Sequence, residues 1–386
     1  MIDLKKVQRH YFDHNATTPV APEVLRAVAD SMAEVYGNAS SIHYFGQRSK
    51  QALESARRHL AARIGAAARE IVFTSGGTEA DNLAIFGTLA RGGHAITTAI
   101  EHPAVLNCFA ALERRGVAVT YVAVGSDGVV DPDDIRAALR DDTTLISVMH
   151  ANNEVGTLQS VAEIASLAHE RDIAMHSDGV QVPGRLPLDV HASGVDLYAI
   201  SGHKMSAPKG IGALYVRGGF ALPAITYGGH HERERRPGTE NVPGAVGLGV
   251  AATIPTRNDL AELRDRFERA VLAAVPDAYV NCGRSLRLPN TSNISFRGIE
   301  GEPMVIALDL RGFAVSSGSA CSSGAVEPSH VLTAIGLSAA DARSSVRFSL
   351  GAGNTGADVD ALAGAVAESA AHLRRIAPRV RSVAHA

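Results

Sequence analysis

Lys204 is the residue with the most chemistry to offer in this chain. It is one of only five lysines, with Lys5, Lys6, Lys50 and Lys209, and it follows Ser201-Gly202-His203 directly after the apolar run Leu197–Ile200. The run before it, Ile173–His176, ends in Ser177-Asp178-Gly179-Val180-Gln181. Two further runs end in comparable groups: Ala95–Ala99 in Glu101-His102-Pro103, and Leu145–Met149 in His150-Ala151-Asn152-Asn153-Glu154. A fourth, Ile71–Thr74, opens into Ser75-Gly76-Gly77-Thr78-Glu79, where exposed amides at a helix start make an anion cradle. In isolation each group reads as a cap or turn former, and Lys204 as a solvated surface lysine. On one rim they read differently: a lysine amine for a Schiff base, a carboxylate that keeps a ring nitrogen protonated, and a cradle for a phosphate are what pyridoxal phosphate requires. Nucleotide use of the glycine turn falls away, because GxGxxG does not follow Ile71–Thr74 and no GxxxxGK[ST] occurs.

That rim exists only if the runs are strands of one sheet. From Ile71 onward, short β-branched runs (71–74, 95–99, 120–124, 145–149, 173–176, 197–200 and 212–216) alternate with helical patterns such as Val161, Ile164 and Leu167. The alternation predicts an α/β fold with a mainly parallel sheet, which binds ligands beyond the carboxyl ends of its strands. After the arginine-rich stretch His230–Arg236 the pattern changes, with Leu260, Leu263, Phe267 and Val271 on one helical face and strands around 293–296, 313–316 and 345–350. The expected organisation is a large domain over 15–252 and a smaller α+β domain over 1–14 and 253–386, whose loop at about 312–328 carries Cys321.

Composition narrows the partners. With 37 basic against 40 acidic residues in 386, the net charge of −3 leaves no surplus for a nucleic-acid surface. No apolar run is long enough to cross a bilayer and no secretory pattern precedes the first helix, so a cytoplasmic enzyme acting on a small molecule is expected. Cys108, Cys282 and Cys321 are scattered and form no CxxC pair, which argues against a disulfide framework or a structural zinc site. His230 and His231 are adjacent, a spacing that rarely converges on one ion, and no metal is expected. Cys321 lies in Val315-Ser316-Ser317-Gly318-Ser319-Ala320-Cys321-Ser322-Ser323-Gly324, a composition that predicts a mobile loop rather than core.

These stretches, with Tyr11–Pro19, Gly37–Ser41 and His43, Phe73–Asn82, Pro208–Tyr215, Arg236–Asn241 and Ser345–Gly351, closely resemble the cysteine desulfurases of the nitrogen-fixation and iron–sulfur-cluster assembly type. Those belong to the class V aminotransferases, among the fold-type I pyridoxal-phosphate enzymes. The resemblance runs through nearly the whole chain in order. It implies that Lys204 carries the cofactor, Asp178 partners its ring nitrogen, and Gln181 and Asn153 lie near its phenolic oxygen and the substrate. It further implies that His102 stacks on the ring and assists proton transfer, and that Gly77, Thr78, Ser201 and His203 hold the phosphate. Thr239 would join that phosphate set from the other subunit of a homodimer with shared active sites, and Arg347 would bind the substrate carboxylate. The implied reaction turns L-cysteine into L-alanine and leaves a persulfide on Cys321 for a sulfur-acceptor protein or a small thiol, in iron–sulfur assembly, tRNA or DNA thiolation, or a biosynthetic carrier.

The alternatives are a selenocysteine lyase, another class V lyase or transaminase with Cys321 as bystander, or a non-catalytic binding partner. Two stretches depart from the family pattern. His230, His231 and Glu234 replace glycine- and glutamine-type residues of a flexible loop, and Ala352 stands where the family usually has arginine.

Overall fold

The computed structural model describes residues 8–317 and 328–376; Cys321 and the stretch 318–327 lie outside the described residues. In chain order the elements are β1 (His10–Tyr11), α1 (Pro22–Glu34), α2 (Tyr44–Arg63), β2 (Ile71–Thr74), α3 (Gly77–Thr88), β3 (His94–Thr98), α4 (Pro103–Glu113), β4 (Ala118–Val122), α5 (Pro132–Ala137), β5 (Thr143–Ser147), α6 (Val161–His169), β6 (Ala174–Asp178), β7 (Leu197–Ser201) and β8 (Gly212–Val216). They continue with α7 (Val242–Thr253), α8 (Leu260–Ala274), β9 (Ala278–Val280), β10 (Thr291–Phe296), α9 (Gly301–Leu310), β11 (Phe313–Ala314), α10 (His330–Ala334), α11 (Ala339–Arg343), β12 (Ser345–Ser349) and α12 (Gly356–Ile376). None of the described helices is long and apolar enough to cross a membrane.

The chain divides into two compact units. The larger, 15–257 with 284–288, is built on a seven-stranded sheet in the order β2-β8-β7-β6-β5-β3-β4. The pairs β3–β4, β3–β5, β5–β6 and β6–β7 are parallel, and β8 runs antiparallel to both β7 and β2. Every strand but β8 therefore points its carboxyl end to the same edge. The central strands β6, β7 and β8 are buried throughout because helices cover both faces. Ile146, Met175, Tyr198 and Tyr215 face one core with Leu53, Leu60 and Leu248 of α2 and α7. Their sequence neighbours Leu145, Ala174, Leu197 and Leu214 face the opposite side, against Ile85 and Phe109 or against Leu83.

Some expected strands are displaced, and each shift has a local cause. β5 begins at Thr143 and ends at Ser147, before Met149, whose N–H is turned away to Glu101 Oε1 at 2.8 Å. β6 continues past His176 to Asp178, which pairs with Ala199 of β7, so the carboxylate ends the strand instead of following it. β4 sits two residues earlier than the run 120–124, with Ala118 opposite His94. The helix after the glycine turn starts at Gly77, inside the turn itself.

The smaller unit takes the described residues of 1–14, 258–283 and 289–386. Its antiparallel sheet β12-β10-β9 packs on Phe267 of α8 and on α12, with the Phe267 and Phe348 rings 4.8 Å apart. β1 pairs in parallel with β11, which occupies part of the stretch expected as loop.

In the larger unit the segment before α7 is anchored by a buried ion pair. Arg57 on α2 donates from both Nη atoms to the Glu232 carboxylate at 2.7 Å, and Glu232 Oε2 also accepts the Phe73 N–H at 2.8 Å. Holding Glu232 there forces a left-handed run: Glu232, Arg233 and Glu234 have φ of 44°, 57° and 65°. An L-residue in that region costs on the order of 1 kcal/mol relative to glycine. The one side-chain contact that Glu234 gains is an exposed pair with His230, worth little. Glu234→Gly is predicted to stabilise the protein by about 1 kcal/mol, read as a higher urea midpoint at unchanged slope; a lower midpoint would refute the strain argument.

Candidate active site

The carboxyl edge of the large sheet gathers most of the expected site residues. Asp178 ends β6 and is 4% exposed, with Oδ1 accepting the Val180 N–H at 3.1 Å. Burial raises its pKa; His102, the Val180 N–H and Lys204 oppose that shift, which places both side chains within electrostatic reach. Ser201 ends β7, and Lys204 closes the short 3₁₀ turn Gly202–Lys204 that follows. His102 caps α4: its Nδ1 accepts the Ala104 N–H at 3.1 Å, so the neutral ring carries its proton on Nε2. Gly77 begins α3 so close to its neighbours that a Cβ there would sit 2.7 Å from Val180 and 3.5 Å from Ser201. Thr78, the next residue, is exposed.

Asn15 ties these elements together. Its carbonyl accepts from Gln181 Nε2 at 3.1 Å and from Lys204 Nζ, which also donates to the Ala16 carbonyl at 3.0 Å. The Asn15 side chain donates to the Asn153 carbonyl at 3.1 Å. Thr18 extends the seam, since its N–H and hydroxyl both donate to the His203 carbonyl, and His203 Nδ1 lies 3.1 Å from Thr17 Oγ1. Sequence reasoning gave no role to Asn15, Thr17 or Thr18. The available signal is the mainly polar stretch Asp13–Thr18 immediately after a buried aromatic, Phe12.

The electrostatics of this edge keep its imidazoles neutral. His203 falls to about 4, first through burial and then through Lys204, Lys209 and Arg185. His150 falls to about 4 through burial alone. Three side chains beneath the rim also escape a sequence reading: Asp81, Glu101 and His176 are each 1% exposed or less. Cys108 on α4 is nearly buried, donates to the Ala104 carbonyl at 3.0 Å, and is pushed up to about 12 by burial and by Asp81.

Arg347 belongs to the smaller unit, on β12, where its Nη2 donates to Asp13 at 2.7 Å. Thr239 is exposed on the segment leading into α7. Cys321 lies outside the described residues. Among the described residues no group of three or more His, Cys, Asp or Glu side chains is arranged for a metal ion, and His230 pairs with Glu234 at 2.8 Å.

Residues 10–362 match the family model of the class-V aminotransferases. The chain belongs to that family. It is 46% identical over 378 residues to a cysteine desulfurase, IscS, of Dictyoglomus turgidum, covering 95% of this chain and 96% of that one. Among solved structures, a NifS-like protein superposes with a TM-score of 0.88 at 34% identity, over 95% of this chain and 100% of its own. SspA in complex with cysteine superposes with a TM-score of 0.81 at 38% identity, over 88% and 98%. The resemblance drawn from the motifs and the α/β fold expected from them both hold.

Glu101 yields a pH test of this edge. Its Oε1 accepts from Thr98 Oγ1 at 2.7 Å and from Met149 N–H at 2.8 Å, yet burial outweighs both and raises the pKa to about 8. The unfolded chain releases this proton near 4.5 and the folded chain near 8, so the folded state loses stability as pH rises through that window. Glu101→Gln keeps an acceptor for both bonds and cannot ionise. Its stability relative to the natural chain is predicted to rise between pH 4.5 and about 8, by roughly 5 kcal/mol, and then level off. A pH-independent difference in urea titrations would rule the buried ionisation out.

Proposed function

We propose that this chain is a pyridoxal-phosphate-dependent cysteine desulfurase that converts L-cysteine to L-alanine and holds the sulfur as a persulfide on Cys321. The observation that carries the reading is the buried Asp178 carboxylate, placed where Lys204 and His102 both act on it. A carboxylate so buried calls for a buried cation, and the protonated ring nitrogen of the cofactor is one. Other features fit the same group. Gln181 is 3% exposed and its Oε1 accepts no hydrogen bond among the described residues, which leaves it able to accept one from a phenolic O–H. The amides at the start of α3, packed against Ser201, suit a phosphate.

When bound, pyridoxal phosphate supplies the electron sink that lets bonds at the substrate α-carbon be broken. Lys204 attaches it and, once released, moves the α-proton. Asp178 holds the ring nitrogen protonated. Gln181 and Asn153 orient the phenolic side and the substrate, and His102 covers the ring with its Nε2 proton available. Gly77, Thr78, Ser201 and His203 hold the phosphate, with Thr239 from a second subunit. Arg347 receives the substrate carboxylate through charge-assisted hydrogen bonds. The Cys321 thiolate attacks the substrate sulfur: an S–S bond forms, the C–S bond breaks, and its electron pair stays with carbon, which is protonated to give alanine. The persulfide then passes to a protein acceptor or a small thiol.

The test is the intact mass after brief exposure of the holoenzyme to L-cysteine. The natural chain is expected to gain one sulfur atom, reversibly on reduction, with alanine released, while Cys321→Ser gains none. Sulfur gain in the variant, or alanine without sulfur on the natural chain, would refute the role of Cys321.

A homodimer is part of the same proposal. Tyr36, Ile42, Tyr44 and Phe45 are 69%, 94%, 67% and 46% exposed, and the Tyr36 and Phe45 rings stack at 5.3 Å. A contiguous aromatic surface of this kind favours a protein partner. Light scattering should return twice the chain mass of 40.3 kDa; a monomer at micromolar concentration would remove the shared-site reading.

A further inference from the structure

Beneath Asp178 lies a second carboxyl that the reaction does not use. In β6, His176 and Asp178 are two residues apart and so share one face of the strand. Ala174 packs on that face with Ile85 of α3, and α3 also carries Asp81, 1% exposed. His176 Nε2 faces Asp81 Oδ1 at 3.5 Å, and neither atom has a hydrogen-bond partner among the described residues. The other ring nitrogen, Nδ1, lies 2.8 Å from Ser147 Oγ on β5.

The groups acting on Asp81 are of one sign or uncharged. Asp178 repels a negative charge there, Glu101 is itself held un-ionised up to about pH 8, Cys108 on α4 is an un-ionised thiol, and His176 is pushed down to about 3 by burial. The Lys204 ammonium, the cation of the site, acts on Asp178, as does His102. A further buried anion without its own cation costs several kcal/mol.

We propose that Asp81 is carried as the un-ionised acid and is a positioning residue: its proton faces His176 Nε2, which fixes His176 as the neutral ring donating from Nδ1 to Ser147, and leaves Asp178 as the ionised carboxylate of the cluster. This deepens the proposed function, since it says how the charge facing the ring nitrogen is kept on one residue. Burial, and after it the neighbouring Asp178 carboxylate, raise the Asp81 pKa, in agreement with the geometry.

Two variants of the holoenzyme separate the outcomes. Asp81→Asn keeps a donor toward His176 Nε2 and carries no charge. Its infrared spectrum at neutral pH should lack one C=O stretch of an un-ionised carboxyl, sensitive to D₂O, that the natural chain shows. The pH transition of its lysine-linked visible band should be unchanged. Asp81→Leu removes the donor, so His176 is free to change tautomer or to charge. It should shift that transition and weaken retention of pyridoxal phosphate by roughly tenfold, the loss of one buried hydrogen-bonded contact. An infrared spectrum of Asp81→Asn identical to that of the natural chain would overturn the proposal. So would a transition shifted equally in both variants, or in neither. A natural chain that shows no lysine-linked band would instead overturn the function proposed above, while the infrared comparison still decides the state of Asp81. If Asp81→Leu does not fold, Asp81→Asn alone decides.

Discussion

A carboxylate buried at the end of a strand stays ionised only if something nearby repays its lost hydration, and in this chain that condition falls on Asp178. Water cannot supply the compensation, because the residue is 4% exposed and sits under α3. One backbone N–H contributes, Lys204 contributes charge, and His102 lies within electrostatic reach. The placement of those two follows from chain geometry. Parallel strands need crossovers, so β3, β6 and β7, far apart in sequence, deliver His102, Asp178 and Lys204 to one edge.

The same constraint accounts for the hub at Asn15. A lysine amine, an amide side chain and a strand-end loop converge there on one residue, through its carbonyl and its side chain. Backbone carbonyls make a durable anchor because no substitution removes them. The seam formed by Asn15–Thr18 thus orders the lysine turn and the loop after β5 without spending a charged group.

Much of this was legible in the sequence, for a definite reason. Each reactive side chain at the rim follows a short β-branched run and precedes a turn former, a pattern set by local chemistry. Boundaries were less legible: Asp178 reads as a loop residue by composition, yet it pairs with Ala199 because β7 offers a matching ladder. The run 145–149 reads as a strand to its end, but Glu101 takes the Met149 amide. Asn15 was invisible because a carbonyl acceptor has no side-chain signature. Asp81 and His176 were invisible because an aspartate in a helix and a histidine in a strand read as surface residues until three-dimensional packing buries them.

The buried thiol on α4 bears on a different question, which is selectivity among sulfur atoms. An enzyme that stores sulfur on one of its own cysteines risks losing it to another. With a pKa of about 12, Cys108 is thiolate in only about one molecule in a hundred thousand at pH 7, and thiolate is the form that exchanges. Burial against the surrounding apolar helix face therefore acts as insulation: sulfur that enters at the rim meets a third cysteine that is chemically silent, and its route outward is left to the thiols that can ionise.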